Sequence, residues 1–413
     1  MSEIDIHPRL KQLGRNGWKV GVASLLLGLV MALASGGARL FFQSYLVAFL
    51  FWFGLALGSL AWLMVHHMVE GRWGFVTQRI LEASSRTLPL LALLFLPYLL
   101  IGSPQLYPWW GGVESLAWHG INYHVSHKLM YLNPAFFTIR AFIYFGIWLT
   151  LTYFLNRWSK DMDTTRDPRI SLKYRWVAAP GIVLYVFTMT FAMTDWGMSL
   201  EPEWFSTIYG FLFCVGQGLS SMCFTVIILS LLAEKPPLSS YAKPDRYHDL
   251  GKLMLAFTIL WAYMSFAQFL ITWSGNLPEE IKYYMHRTGP ELKGVFTILI
   301  VFHFFVPFFI LLMRGVKRVP ATLRTIAFYI LAVRIIDLLW VLGPAFRDNH
   351  DHIFGSAVEV PITLAVLAGI GGIWLTYFVK QLTQRPLVTA FDPRRDEAFA
   401  HDHHHETEAL DHA

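Results

Sequence analysis

YVFTMTFAMTDWGMSLEPEWFSTIYGFLFCVGQGLSSMCFTVIILSLL (Tyr185–Leu232) consists of two long apolar runs joined by a short acidic turn. Asp195 closes the first run, Trp196 and Trp204 flank the turn, and Glu201 and Glu203 open the second. Each run is long enough to cross a hydrocarbon layer of roughly 30 Å, which takes about 20 helical residues. Acidic groups between tryptophan anchors suit the headgroup level. The stretch is a transmembrane hairpin, and the rest of the chain repeats it.

Of 413 residues, 55% are apolar, 16% aromatic and 15% charged. A soluble domain carries nearer a quarter charged residues, so the fold class is an all-α integral membrane protein. Ten runs qualify as spans: about 18–36, 41–66, 87–106, 135–156, 175–195, 204–233, 251–273, 293–313, 321–343 and 358–380. The net charge of +5 does not indicate nucleic acid, because the basic residues lie between apolar runs and act as topology signals. The terminal segments and even-numbered loops hold 25 of the 33 basic residues, seven lie in the odd loops, and Arg334 is inside a span. That bias places both termini in the cytoplasm. The polar start, residues 1–17, argues against a cleavable signal peptide.

The odd-numbered loop 107–134 carries an apolar stripe (Val113, Leu116, Ile121, Val125, Leu129, Leu132) that predicts a surface helix over about 113–132. Cys214 and Cys223 fall on one helix, roughly 13 Å apart at 1.5 Å per residue, too far for a bridge. The tail 386–413 is polar and ends with His401, His403, His404, His405 and His412. It reads as a disordered cytoplasmic segment with no scaffold to fix metal geometry, so no metal site is assigned.

Ionisable residues inside a bilayer are costly and are usually paired or functional. Arg334 and Asp337 share a face of the ninth span, either as a neutralising ion pair or as a proton-relay element. His303 lies mid-span in the eighth, as a buried neutral histidine or a proton carrier, and Pro307, four positions later, frees the carbonyl of residue 303. His66 and Glu70 share a face of the second span, with His67 turned away, as interfacial structure or a proton uptake point. Asp195 reads as a proton exit or an interfacial carboxylate. Glu201 and Glu203 read as helix N-terminal charges. Histidines do not pair across spans, no CxxCH occurs and there are only two cysteines. The chain is therefore expected to hold neither haem nor an iron–sulfur cluster.

Three motifs, KLMYLNPAFFTIRAFIYFGIW (128–148), TMTFAMTDWGMSLEPEWFSTIYG (188–210) and GKLMLAFTILWAYMSFAQFLITWSGNLPEEI (251–281), resemble the F subunit of bacterial alternative complex III. That complex is a quinol:cytochrome c oxidoreductase, and the subunit is of the NrfD/PsrC-like membrane family. The resemblance implies two four-helix bundles (41–195, spans two to five; 204–343, spans six to nine) flanked by spans one and ten. It implies a bacterial inner-membrane location and three kinds of partner: a sister NrfD-like subunit, haem c subunits and an iron–sulfur subunit that carry the redox cofactors. It also implies one of two roles, a proton path or a quinol site. The scatter of His66, His67, Glu70, His303, Arg334, Asp337 and Asp195 across membrane depth suits a proton path. The alternative quinol site gathers His124, Arg140, Tyr144 and Asp195 at the outer ends of spans four and five. A reading of another class is a secondary transporter, with a helix broken at Gly216–Gln217–Gly218.

Overall fold

The computed structural model describes residues 8–69, 71–119, 121, 123–234, 236–289, 292–346, 359–389 and 391. Every regular element among them is helical. Ten helices are long and apolar enough to cross a membrane: Gly14–Ser35, Gly37–Val69, Arg72–Leu106, Pro134–Thr165, Ile170–Leu200, Tyr209–Leu232, Pro244–Gly275, Lys293–Leu312, Pro320–Phe346 and Glu359–Thr383, hereafter spans 1 to 10. The chain is a multi-pass membrane protein. The start of span 1 lies beside the end of span 10, with Gly14 against Val379, and this end is called here the terminus-bearing end.

Spans 2 and 6 form the centre and are buried along nearly their whole length. Both are apolar on every face, the pattern of a helix surrounded by other helices. They run in the same direction and touch closely at Gly58, where a Cβ would fall 2.4 Å from the Gln217 carbonyl oxygen. Ser59 and Ser221 hydroxyls meet at 2.8 Å, and Trp62 Nε1 donates to the Gly218 carbonyl at 2.8 Å. Span 6 is a continuous helix through Gly216, Gln217 and Gly218. Its glycines admit neighbours rather than break the helix, which removes the sequence basis for a broken-helix transporter site there. Outward faces carry Leu26, Val30, Phe142, Phe187 and Phe266, as a lipid-facing surface requires.

Spans 1 and 10 lie antiparallel, with backbones close enough that a Cβ on Gly21 would fall 2.8 Å from the Gly369 carbonyl oxygen. Small residues allow this approach in lipid, where van der Waals packing drives association. Span 10 is fastened inward by Trp52 Nε1 to the Leu367 carbonyl (2.9 Å) and Trp374 Nε1 to Thr87 Oγ1 (2.7 Å).

Several boundaries differ from the sequence expectation: span 4 runs on to Thr165 and span 7 begins at Pro244. Span 3 begins at Arg72, and its first segment, Arg72–Ser85, is buried despite its polar residues. The expected surface helix over 113–132 is instead a short helix, Gly112–Trp118, and a 3-10 segment, Tyr123–Met130. Leu116, Val125 and Leu132 are buried, while Val113 is exposed, so the stripe is not one continuous face. Span 6 starts at Tyr209 rather than 204, because residues 201–208 form a turn in which Trp204 stacks on Tyr283 at 3.8 Å. Glu201 and Glu203 are therefore not helix N-terminal charges. The loop after span 7 also contains a helix, Pro278–Thr288.

Candidate functional site

Four groups of buried ionisable side chains lie at three depths. At the end opposite the termini, where spans 4 and 5 meet, the Asp195 carboxylate is fully buried. Arg140 donates to both its oxygens, from Nη2 and Nε, each at 2.8 Å. Tyr144 adds a third donor at 2.8 Å. The guanidinium also packs over the Tyr131 ring at 3.8 Å and donates to the Tyr131 carbonyl at 3.0 Å. Burial and the neighbouring Asp195 charge push the Tyr131 phenol up to about 12. Arg140, Tyr144 and Asp195 thus meet as the sequence grouped them, but as a saturated bidentate pair. His124 lies in the 3-10 segment, and its side chain is outside the described residues.

At mid-depth, Arg334 and Asp337 form an ion pair on adjacent turns of span 9, and both are buried. The guanidinium reaches to the neighbouring span 6, over Gly216. Gln217 beside it accepts from Tyr185 OH at 2.9 Å. A small void joins Arg334, Gln217 and Ser220 to Gly54 of span 2. His303 is buried against the edge of Trp261, with ring centroids 4.2 Å apart, and lies within electrostatic reach of Asp337 and Arg334. It sits in a π-helical segment, Leu299–Phe305, just before Pro307. The carbonyl that the proline strands is that of Phe302, one residue from the expected position, and Tyr329 OH donates to it at 2.6 Å. The π register explains the shift, since its bonds reach back five residues instead of four.

At the terminus-bearing end a third group was missed entirely. Glu82, fully buried, receives Arg79 Nη1 at 2.8 Å, Gln78 Nε2 at 2.9 Å, Ser159 Oγ at 2.6 Å and Arg385 Nη1 at 3.1 Å. Arg79 also pairs with Asp163. The signal was present as Arg-x-x-Glu at helical spacing, but the segment is too polar to register as part of a span. His66 and His67 lie nearby and buried, His67 stacked on Tyr174 at 3.9 Å and His66 against Trp73 and Gly74. Glu70 lies outside the described residues, as does the histidine-rich tail.

The fourth group lies at the end opposite the termini, where the helix after span 7 meets the turn before span 6. Arg287, 1% exposed, donates to Glu201 at 2.8 Å, to the Val341 carbonyl at 2.7 Å and to the Tyr283 carbonyl at 3.0 Å. Burial alone would raise the Glu201 carboxyl, but Arg287 and His286 outweigh it and hold it below the usual range. Lys282 pairs with Glu203 at 2.9 Å. Tyr209 connects this group to the middle one, lying within electrostatic reach of Glu201, Arg287 and Arg334.

An apolar cavity of about 460 Å³ opens between spans 7, 8 and 9, with Trp261, Gln268, Tyr284, Phe304, Asp337 and Trp340 on its wall. Among the described residues no three His, Cys, Asp or Glu side chains gather as metal ligands. No protein-family model and no curated protein matches the chain.

Proposed function

We propose that the chain is a membrane-integral subunit of a quinol:cytochrome c oxidoreductase complex, carrying no redox cofactor and contributing a transmembrane proton path. The identity of the complex, its bacterial inner membrane and the haem c, iron–sulfur and sister subunits rest on the resemblance of the three sequence motifs. The proton path rests on one observation: the buried Arg334–Asp337 pair at mid-depth on span 9, beside Gln217 of span 6. A charged pair is expensive there and has no ligand cage around it, which favours a group that changes protonation over one that only packs. Glu201 with Arg287 on one side and His66 with His67 on the other supply ionisable groups nearer the two ends. His303 lies within electrostatic reach of Asp337, with no hydrogen bond from either ring nitrogen among the described residues. The saturated Asp195 is a poor quinol partner, since each oxygen already accepts a strong hydrogen bond.

The 460 Å³ cavity favours a second reading, in which a quinol ring reaches Asp337 from the lipid. Proteoliposomes containing the assembled complex separate the two. With Arg334→Gln and Asp337→Asn together, the proton-path reading expects quinol oxidation to continue under uncoupled conditions while proton translocation is lost. Loss of quinol oxidation itself, in an assembled complex, supports the cavity as a quinol site instead.

A further inference from the structure

The basic side chains around the Glu82 cluster are not all used by it. Between spans 3 and 4 and the segment after span 10 lies a half-open cavity of about 690 Å³. Arg86, Arg157, Lys160 and Arg385 line it, against the single acid Asp161. Arg385 is committed to Glu82 and to the Asn156 carbonyl. Arg86 donates only to the Gln381 carbonyl, at 2.6 Å, and its Nε is buried without a partner. Arg86, Arg157 and Lys160 make no salt bridge among the described residues. The full group, with Arg79, Glu82 and Asp163, has five cations and three carboxylates, an excess of two positive charges.

Two neutral polar residues, Thr152 and Asn156, also line the cavity, each only 5% exposed. Their Oγ1 and Oδ1 atoms are buried and have no hydrogen-bond partner among the described residues. Both accept hydrogen bonds, and a hydroxyl is the simplest donor to serve them. The cavity runs from Lys160, in the last turns of span 4, to Leu149 at its middle, roughly 17 Å at 1.5 Å per residue. Its deep end is apolar, formed by Leu149 and Pro89, and its surroundings face lipid through Tyr153 and Leu93, 57% and 63% exposed. A free ion needs the charged end alone, whereas an acyl chain accounts for the apolar end.

We infer that this cavity binds an anionic phospholipid whose headgroup carries a hydroxyl, of the phosphatidylglycerol type. The phosphodiester sits among Arg86, Arg157 and Lys160, the headgroup hydroxyl bonds Thr152 or Asn156, and the chain follows Leu149 toward mid-bilayer. Basic pockets between helices at one membrane face commonly hold acidic headgroups. A bound lipid here braces span 4 against span 3 and the segment after span 10.

The test is native mass spectrometry of the full chain in mild detergent, titrated with phosphatidylglycerol, phosphatidylethanolamine or phosphatidylcholine. One phosphatidylglycerol should be retained in preference to the other two lipids. The double variant Arg157→Gln/Lys160→Gln should bind it about thirtyfold more weakly, at roughly 1 kcal/mol per basic residue near a membrane surface. Both positions are exposed, so its melting temperature without added lipid should match wild type. Equal retention of all three lipids by wild type, which needs no variant, overturns the inference, as does unchanged affinity in the double variant. Inorganic phosphate that raises the melting temperature as much as phosphatidylglycerol identifies a free-anion site and overturns the lipid assignment.

Discussion

The Arg334 guanidinium occupies the space that any side chain at Gly216 would need: a Cβ there would fall 2.3 Å from Nη2. Span 6 thus has a glycine where span 9 inserts a charge, and the two helices are matched at mid-membrane by one residue on each. Gly216→Ala should force the guanidinium aside and part it from Asp337. Overpacking of this kind typically costs about 1–3 kcal/mol, read as a lower melting temperature in detergent. In a background of Arg334→Gln the alanine should cost less, because the shorter amide leaves room.

Glu82 is the most heavily bonded carboxylate of the terminus-bearing end, and it draws Arg385 to span 3. Glu82→Gln should destabilise the chain by about 3–5 kcal/mol, since two guanidinium groups lose a buried counter-charge. Arg79 keeps Asp163, so the loss should fall mainly on Arg385. Limited proteolysis should then cut after span 10 faster in the variant, while cleavage between spans 4 and 5 stays unchanged.

What was legible in the chain follows from what bilayers demand. Ten spans were visible because a soluble fold seldom needs about 20 apolar residues in a row, whereas every bilayer crossing does. Arg334, Asp337 and His303 stood out because they interrupt such runs. Arg79, Glu82, Asp163 and Arg385 did not, because each lies at a polar edge where charges are common, and only three-dimensional packing buries them together. Glu201 suffered similarly: next to Pro202 it resembled a helix start, whereas its partner Arg287 lies 86 positions away in another loop. Arg140, Tyr144 and Asp195 were grouped before the structure brought them together, yet the saturation of the carboxylate was invisible in one dimension.

The Glu201–Arg287 pair makes a pH prediction. Its folded carboxyl titrates below the ordinary value of 4.5. A depressed carboxyl contributes stability that is fully present above the unfolded value and is lost as pH falls through the folded one. Melting temperature should therefore hold steady from neutral pH down to about 5 and drop below about 4.5. Glu201→Gln should lower the stability at neutral pH by roughly 3 kcal/mol, the low end for a broken buried pair, because the carboxylate retains some solvent contact. The variant should also show a flatter acid limb, and an acid limb as steep as wild type would assign the pH dependence to other groups.

Sidedness follows from the basic residues. Trp118, 80% exposed, lies in the segment between spans 3 and 4, and Ser239 is exposed between spans 6 and 7. In right-side-out vesicles, Trp118→Cys should react with an impermeant maleimide and Ser239→Cys should not. The opposite pattern would invert the whole chain. Trp118 is a better probe than Gly112, whose φ of +75° resists a side chain.

The central pair gives the most discriminating prediction. Asp337→Asn alone leaves Arg334 buried without a counter-charge, a loss of about 3–5 kcal/mol, so failure to assemble would be expected on either a structural or a proton-path reading. Removing both charges, Arg334→Gln with Asp337→Asn, eliminates that penalty and should largely restore assembly. His303→Phe is the companion variant: the ring stacks edge-on to Trp261, and phenylalanine preserves that contact while removing the titratable nitrogens. Both variants should assemble and pass electrons when the proton gradient is collapsed, and both should lose quinol-driven acidification in proteoliposomes. The two are expected to fail together, because on the proton-path reading His303 and Asp337 belong to one relay, which is broken by losing either. If assembled complexes carrying either variant translocate protons at the wild-type ratio, then Arg334, Asp337 and His303 are packing residues and the path runs elsewhere.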